Sequence, residues 1–198
     1  MSIGWMLLAP LLLIVRVPAD KNPLVRIDTT LGTIVVEIDV QHAPATSANF
    51  LHYVDAKRYT KARFHRTVTL QNQPDKAIKI EVIQGGVNPV LEKADFPPIQ
   101  LERTSVTGLR HRDGTISMAR DGADTATSDF FICIGDQAEL DFGGKRNPDG
   151  QGFAAFGKVK SGMEVVRKIQ KSRADGQSLT PPVEILSITR MSARESGN

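Results

Sequence analysis

Short runs of β-branched and aromatic residues recur along most of the chain, and polar segments with glycine, proline or asparagine separate them. The first two runs, 24–29 and 34–39, lie on either side of a short turn that contains Gly32, a pattern that predicts a β-hairpin. Later runs of the same kind predict six more strands, at 62–68, 78–84, 114–120, 129–135, 153–159 and 183–191.

Two segments have the spacing of amphipathic helices. Residues 44–55 begin with a proline and place apolar residues at positions 50, 51 and 54. Residues 161–171 begin with Ser-Gly-Met-Glu, in which Ser161 and Glu164 have the spacing of a capping box. Because the helices do not alternate with the strands, the pattern favours an antiparallel barrel or sandwich over a doubly wound sheet. The polar segments 69–77 and 143–152 are predicted surface loops.

The composition adds few constraints of its own. With 198 residues, 40% of them hydrophobic, the chain is long enough for one domain with one core. Its Lys and Arg residues are scattered among 22 acidic residues at a net charge of +3, which argues against a nucleic-acid partner. The four histidines lack metal-binding spacing and no phosphate-binding loop is present, so we predict neither metal nor cofactor. The single cysteine, Cys133, is predicted to be buried and structural.

The N-terminus differs in character from the rest of the chain. Residues 5–17 are almost continuously apolar, but a membrane span needs about 20 residues. The run is typical of a secretory signal, with Val-Pro-Ala at 17–19 as a cleavage site; a membrane anchor or a misassigned start codon are the alternatives. We therefore expect a signal-like or anchor segment at 1–22, a domain at 23–192 and a polar tail at 193–198. The expected location is the periplasm or the exterior, with a membrane-anchored or cytoplasmic protein as the alternative.

Several fragments occur in an order that resembles one known family. They are Phe-His-Arg at 64–66, Ile-Gln-Gly-Gly at 83–86, Gly-Thr-Ile-Ser-Met-Ala-Arg at 114–120 and Ser-Asp-Phe-Phe-Ile at 128–132. In this order they resemble the core signature of the cyclophilin-type peptidyl-prolyl cis-trans isomerases, and the likeness extends from about residue 24 to 191. The resemblance implies a mainly β fold: a closed eight-stranded antiparallel barrel capped by two α-helices, with a peptide groove on its outer face.

The resemblance also implies roles for individual residues. Arg66 matches the catalytic arginine of the family, and Gln84 matches the glutamine that orients it. Eight further positions match the substrate-binding surface: Phe64, Val82, Ala119, Arg120, Asp129, Phe131, Leu140 and Phe153. The expected partners are proline-containing peptides or unfolded protein segments, bound by a monomer without a cofactor.

Departures from the family pattern leave the function open between two hypotheses. Glu81, Asp129 and Glu139 replace an aromatic residue, a glutamine and a Trp or Phe, and an insertion occupies 69–79. If these carboxylates face the groove, it is acidic and prefers peptides with lysine beside the proline. Alternatively, the insertion shifts the register so that Ile78, Ile80 or Val82 supplies the missing wall. Because Arg66, Gln84 and Phe131 are retained, the chain is predicted to be an isomerase that assists the folding of exported proteins; the three carboxylates favour a domain without catalysis.

Two alternative functions are weighed against that prediction. One is a weakly or non-catalytic domain that binds proline peptides, a chaperone or scaffold that has kept the barrel fold but lost the isomerisation activity. The other is an unrelated barrel that binds a small molecule, which the order of the matching fragments makes hard to sustain.

Overall fold

The computed structural model describes residues 22–88, 90 and 95–192. Within these ranges the chain forms nine strands, three α-helices and one 3-10 turn at Ala138–Leu140. The strands are β1 (Leu24–Thr29), β2 (Gly32–Ile38), β3 (Ala62–Val68), β4 (Val82–Gly86), β5 (Thr115–Met118), β6 (Phe130–Cys133), β7 (Ala154–Ser161), β8 (Ala174–Asp175) and β9 (Ser178–Arg190). The helices are α1 (Pro44–Asp55), α2 (Thr104–Thr107) and α3 (Met163–Gln170).

Eight of these strands form a closed antiparallel barrel. Their order around it is β1-β2-β7-β5-β6-β4-β3-β9, and β9 pairs back with β1 to close the ring. The two-residue strand β8 pairs with β9 and stands outside the ring. The predicted eight-stranded closed barrel is thereby confirmed, and so are the two predicted helices, at Pro44–Asp55 and Met163–Gln170.

The barrel interior is filled by alternate residues of each strand, as the twofold side-chain period of β-structure requires. Phe50 of α1 closes one end, with its ring centroid 5.5 Å from that of Tyr59, 5.6 Å from Phe130 and 5.2 Å from Phe156. Cys133 is fully buried, as predicted, and burial raises the pKa of its thiol well above the ordinary value.

The predicted capping box of α3 is not formed. Ser161 ends strand β7, and the residue before the helix is Gly162, with φ at 92° and no side-chain cap. A Cβ atom at Gly162 would lie 2.4 Å from the carbonyl oxygen of Thr33, so only glycine fits. The close approach of β2 therefore determines where α3 begins. The short helix α2 was not predicted.

Most strand boundaries differ from the prediction by one or two residues, and two starting points differ by more. The run at 78–84 contributes only its last residues to β4, which begins at Val82, because the Gln73 side chain binds both backbone groups of Ile80. Strand β9 begins at Ser178 rather than 183, although it contains Pro181 and Pro182, which usually interrupt a strand.

The predicted signal-like segment and the polar tail lie outside the described residues, apart from Asn22. In the part of the chain that the structure describes, no helix has the length and apolarity to cross a membrane.

Candidate active site

A groove of about 630 Å³ lies on the outer face of the barrel, across β3, β4 and β6. Side-chain alternation explains why functional residues gather there. Ile83 and Phe130 point into the core, so their neighbours Gln84 and Phe131 point outward. Phe64 also points into the core, and a register shift between Phe64 and Arg66 brings Arg66 to the outer face.

The structure brings together nine of the ten residues that the sequence singled out. The groove is lined by Arg66, Val82, Gln84, Ala119, Arg120, Asp129, Phe131, Leu140 and Phe153. Phe64 is the exception, because it is fully buried in the barrel core, where its ring packs edge-on against Phe130 at 5.8 Å. Phe64 therefore supports the groove from behind and does not line it.

The centre of the groove is an apolar pocket. Phe131 is 4% exposed and its ring meets that of Phe153 edge-on, with centroids 5.3 Å apart. Val82 and Leu140 are also buried in the same cluster, together with Ile80. Ile80 and Val82, two of the three residues that the sequence raised as an alternative wall, thus both line the groove.

Gln73 holds Ile80 in this position. Its side-chain amide donates to the carbonyls of Thr69 (2.6 Å) and Ile80 (2.8 Å) and accepts from the Ile80 N–H at 3.3 Å. Only 2% of Gln73 is exposed, so these buried hydrogen bonds are costly to break. The insertion at 69–79 is therefore an ordered part of the site as well as a loop.

Arg66 is held by two neutral amides. Its Nη1 donates to Oε1 of Gln84 at 2.9 Å, and its Nε and Nη2 donate to Oε1 of Gln177 at 2.9 and 2.6 Å. Burial lowers the pKa of Arg66, although a guanidinium stays charged at neutral pH. Gln177 lies in the turn between β8 and β9, and the sequence analysis missed it.

Gln84 connects Arg66 to a carboxylate. Its amide oxygen accepts from Arg66, while its Nε2 donates to Oδ2 of Asp129 at 2.9 Å. The two partners fix the orientation of the amide, with oxygen toward Arg66 and nitrogen toward Asp129. The carboxylate of Asp129 also leaves no room for a side chain at position 86 of β4, since a Cβ on Gly86 would lie 1.8 Å from Oδ1.

A buried polar group lies behind the pocket. Nδ1 of His111 is 2.7 Å from Oδ1 of Asp141, and its Nε2 is 3.0 Å from Oγ of Ser117. Burial acts to raise the pKa of Asp141, but hydrogen bonds from the His111 side chain and backbone N–H, together with Arg110, lower it overall. The His111 ring stacks on that of Phe131 at 6.0 Å and so supports the floor of the pocket.

The sequence predicted an acidic groove lined by Glu81, Asp129 and Glu139, and this prediction is wrong for two of the three residues. Glu81 faces α3, where Oε1 accepts from Nε2 of Gln170 at 3.1 Å. Glu139 accepts from the backbone N–H of Lys145 at 2.7 Å. Neither residue lines the groove, and of the three only Asp129 does. Glu81 immediately precedes β4 and faces α3, so it does not occupy the groove position that the resemblance gave it.

Comparison with known proteins places these features in a family. The family model described as cyclophilin type peptidyl-prolyl cis-trans isomerase/CLD matches residues 24–190. Peptidyl-prolyl cis-trans isomerase A of Dickeya dadantii is 38% identical over 160 residues, which cover 79% of this chain and 76% of that protein. Peptidyl-prolyl cis-trans isomerase B of Escherichia coli is 35% identical over 157 residues, covering 78% and 88% of the two chains.

Solved structures show the same architecture. A cyclophilin type peptidyl-prolyl cis-trans isomerase of Cryptosporidium parvum, crystallised in the presence of the dipeptide Ala-Pro, superposes with a TM-score of 0.67. It is 23% identical, and the match covers 85% of this chain and 99% of that one. At this identity the likeness shows the fold of the barrel, whereas the family is shown by the sequence matches.

Proposed function

Since the chain belongs to the cyclophilin-type peptidyl-prolyl cis-trans isomerase family, we propose that it isomerises the peptide bond that precedes proline in peptides and unfolded protein segments. The observation that carries the proposal is Arg66. Its guanidinium is anchored by the neutral amides of Gln84 and Gln177 beside an apolar pocket large enough for a proline ring.

The reaction requires little chemistry from the protein. Rotation about the bond meets a barrier of about 18–20 kcal/mol, because amide resonance is lost when the bond is twisted. No covalent bond is made or broken, so a groove that binds the twisted amide more tightly than either planar form lowers the barrier.

The residues in and around the groove divide this task between them. Phe131, Val82, Leu140 and Ile80 hold the ring by apolar contact while the preceding carbonyl turns. In the twisted amide the prolyl nitrogen regains a lone pair, which the guanidinium of Arg66 can hydrogen-bond. Gln84 and Gln177 hold Arg66 in place before the substrate arrives, so little reorganisation is needed in the transition state.

Asp129 is the observation that favours a second function, a domain that binds proline peptides with little or no catalysis. A carboxylate paired directly with Arg66 would reduce its ability to polarise the substrate. In the structure Asp129 bonds Gln84 instead, and the described part of the chain contains no ion pair to Arg66. This arrangement favours the catalytic function.

We also propose that the isomerase assists the folding of exported proteins. The apolar run at 5–17 supports export, and uncatalysed X–Pro isomerisation takes tens to hundreds of seconds, which delays folding. In a refolding assay, the protein is expected to accelerate the slow proline-limited phase of a denatured substrate protein. An unchanged slow phase would contradict a role in protein folding.

Fractionation of cells that produce the full chain tests the export proposal. Recovery in the periplasmic or secreted fraction is the expected result, and recovery only in the cytoplasm would contradict it. Neither result bears on catalysis, which the groove residues determine.

A further inference from the structure

The charged residues of the groove are not evenly mixed. Lys76 and Arg146, from the loops at 69–81 and 141–153, line one part of it together with Arg66. Asp95, Asp121 and Asp129 line another part, next to the hydroxyl-rich segment that ends at Ser128. The groove therefore has a basic end and an acidic end.

The basic end is built by contact between the two loops. Nη1 of Arg146 donates to Oε1 of Gln73 at 2.8 Å and to the carbonyl oxygen of Ile78 at 2.7 Å. Burial and the neighbouring charge of Arg66 both lower the pKa of Arg146. Among the residues that the structure describes, the Arg146 guanidinium has only these neutral acceptors, and no carboxylate forms an ion pair with Arg146 or Arg66.

Lys76 adds a third cation to this end. It is exposed, and its side chain makes no hydrogen bond or ion pair with a described residue. By contrast, the charge of Arg120 is already compensated, since both its terminal nitrogens bind Asp149, at 2.8 and 3.0 Å. The uncompensated positive charge in the groove is therefore concentrated beside Ile80 and the proline pocket.

The acidic end has a different framework. Oδ2 of Asp95 accepts from the hydroxyl of Ser128 at 2.9 Å, and the backbone N–H of Asp121 donates to Oγ1 of Thr125 at 3.2 Å. Gln84 lies between Asp129 and Arg66, so the change of sign along the groove occurs at the catalytic centre. A peptide whose proline occupies the pocket extends toward both ends.

We propose that Lys76 and Arg146 are specificity-determining residues that select proline peptides with an acidic side chain on one side of the proline. The carboxylates of Asp95 and Asp121 at the other end disfavour an acidic residue there and favour a basic one. The preference thus depends on the order of charges in the peptide and not on its net charge. This inference rests on the proposed function, because it assumes that proline peptides occupy the groove.

Two capped peptides of identical composition, Ala-Glu-Pro-Lys-Ala and Ala-Lys-Pro-Glu-Ala, test the proposal. Their dissociation constants, measured by NMR titration, are expected to differ at least about threefold at low salt. The difference should shrink in 0.15 M salt, where the Debye length is about 8 Å instead of about 30 Å at 0.01 M. The direction of the bound chain decides which end receives which residue, and hence which of the two orders binds more tightly.

Variants identify the residues responsible. Lys76→Gln and Arg146→Gln are each expected to reduce the ratio of the two dissociation constants, and the double variant to bring it close to one. Lys76→Gln leaves the hydrogen bonds of Gln73 untouched, so it remains informative if Arg146→Gln disturbs the loop. Arg112→Gln removes the same charge outside the groove, where Arg112 pairs with Asp136, and should leave the ratio unchanged.

An uncharged peptide, Ala-Gln-Pro-Gln-Ala, distinguishes failure of the charge preference from failure of the proposed function. If it binds the protein while the two charged isomers bind equally, the charge preference is refuted and the proposed function stands. If it neither binds nor isomerises, the proposed function fails and the inference falls with it. A ratio that Arg112→Gln reduces as much as Lys76→Gln would also refute the assignment.

Discussion

Replacement of Arg66 by alanine is expected to lower kcat/KM for X–Pro isomerisation at least tenfold while the protein remains folded. The substitution removes the hydrogen-bond donor that the twisted amide requires, and a lost transition-state contact of about 1.4 kcal/mol is enough for a factor of ten. The rate is measured by exchange NMR on a proline peptide, and the fold by circular dichroism. Arg66→Lys should recover only part of the rate, because an ammonium group cannot bind both Gln84 and Gln177 in the planar geometry of the guanidinium.

Arg112→Ala is the matched control for this variant. Arg112 is an exposed arginine whose partner, Asp136, lies outside the groove. It should keep the wild-type rate. A wild-type rate in Arg66→Ala would show that Arg66 has no catalytic role.

Replacement of Phe131 by alanine is expected to have two effects. The free energy of unfolding should fall by about 3–5 kcal/mol, because a buried ring is lost from the contacts with Phe153 and His111. The folded protein should also lose about tenfold in kcat/KM. A buried methylene contributes about 0.8 kcal/mol, and the proline ring would lose contact with at least two. Chemical denaturation and exchange NMR at low temperature measure the two effects separately.

Phe130→Ala distinguishes the groove from the core. Phe130 is the preceding residue on β6, faces the barrel interior and is also buried, so its loss should cost a similar free energy of unfolding. In the folded fraction, however, kcat/KM should stay near the wild-type value. An equal loss of kcat/KM in both variants would mean that Phe131 acts through stability alone.

Most of the barrel could be predicted from the sequence because its elements depend on local patterns. The alternation in β1 and β2, with Gly32 at the turn, specifies a hairpin without reference to the rest of the chain. Where tertiary contacts override local preference, the prediction failed. Position 162, before α3, requires glycine because Thr33 approaches it closely, and Gln73, seven residues away, binds the backbone of Ile80 outside the strand.

In the candidate site, too, the residues in local motifs could be predicted and those placed by tertiary contacts could not. The residues that match family motifs lie together in the groove, with the exception of Phe64. Gln177 and Gln73 could not be found, because a single glutamine in a polar loop carries no signal of its own. Gln177 reaches Arg66 across 111 positions in the sequence, a contact that only the folded barrel creates.

The charge of the groove differs from the prediction for a related reason. Alignment to the family pattern at Gln84 places Glu81 in the groove only if the insertion leaves the positions before Gln84 in place. The structure shows that the insertion brings Lys76 into the groove and binds Arg146, while Glu81 turns toward α3. A loop of this kind changes the electrostatics of a site without changing any of the matched motifs.

The central claim is that this chain catalyses X–Pro isomerisation, and exchange NMR on an uncharged proline tetrapeptide tests it most directly. Without protein, the cis and trans forms interconvert over tens to hundreds of seconds, so a mixing time of about a second gives no exchange cross-peaks. With a small fraction of one equivalent of the wild-type protein, cross-peaks between the two forms are expected. If peptide resonances shift on binding but cross-peaks are absent at every protein concentration, the chain binds proline peptides without isomerising them, and the account is contradicted.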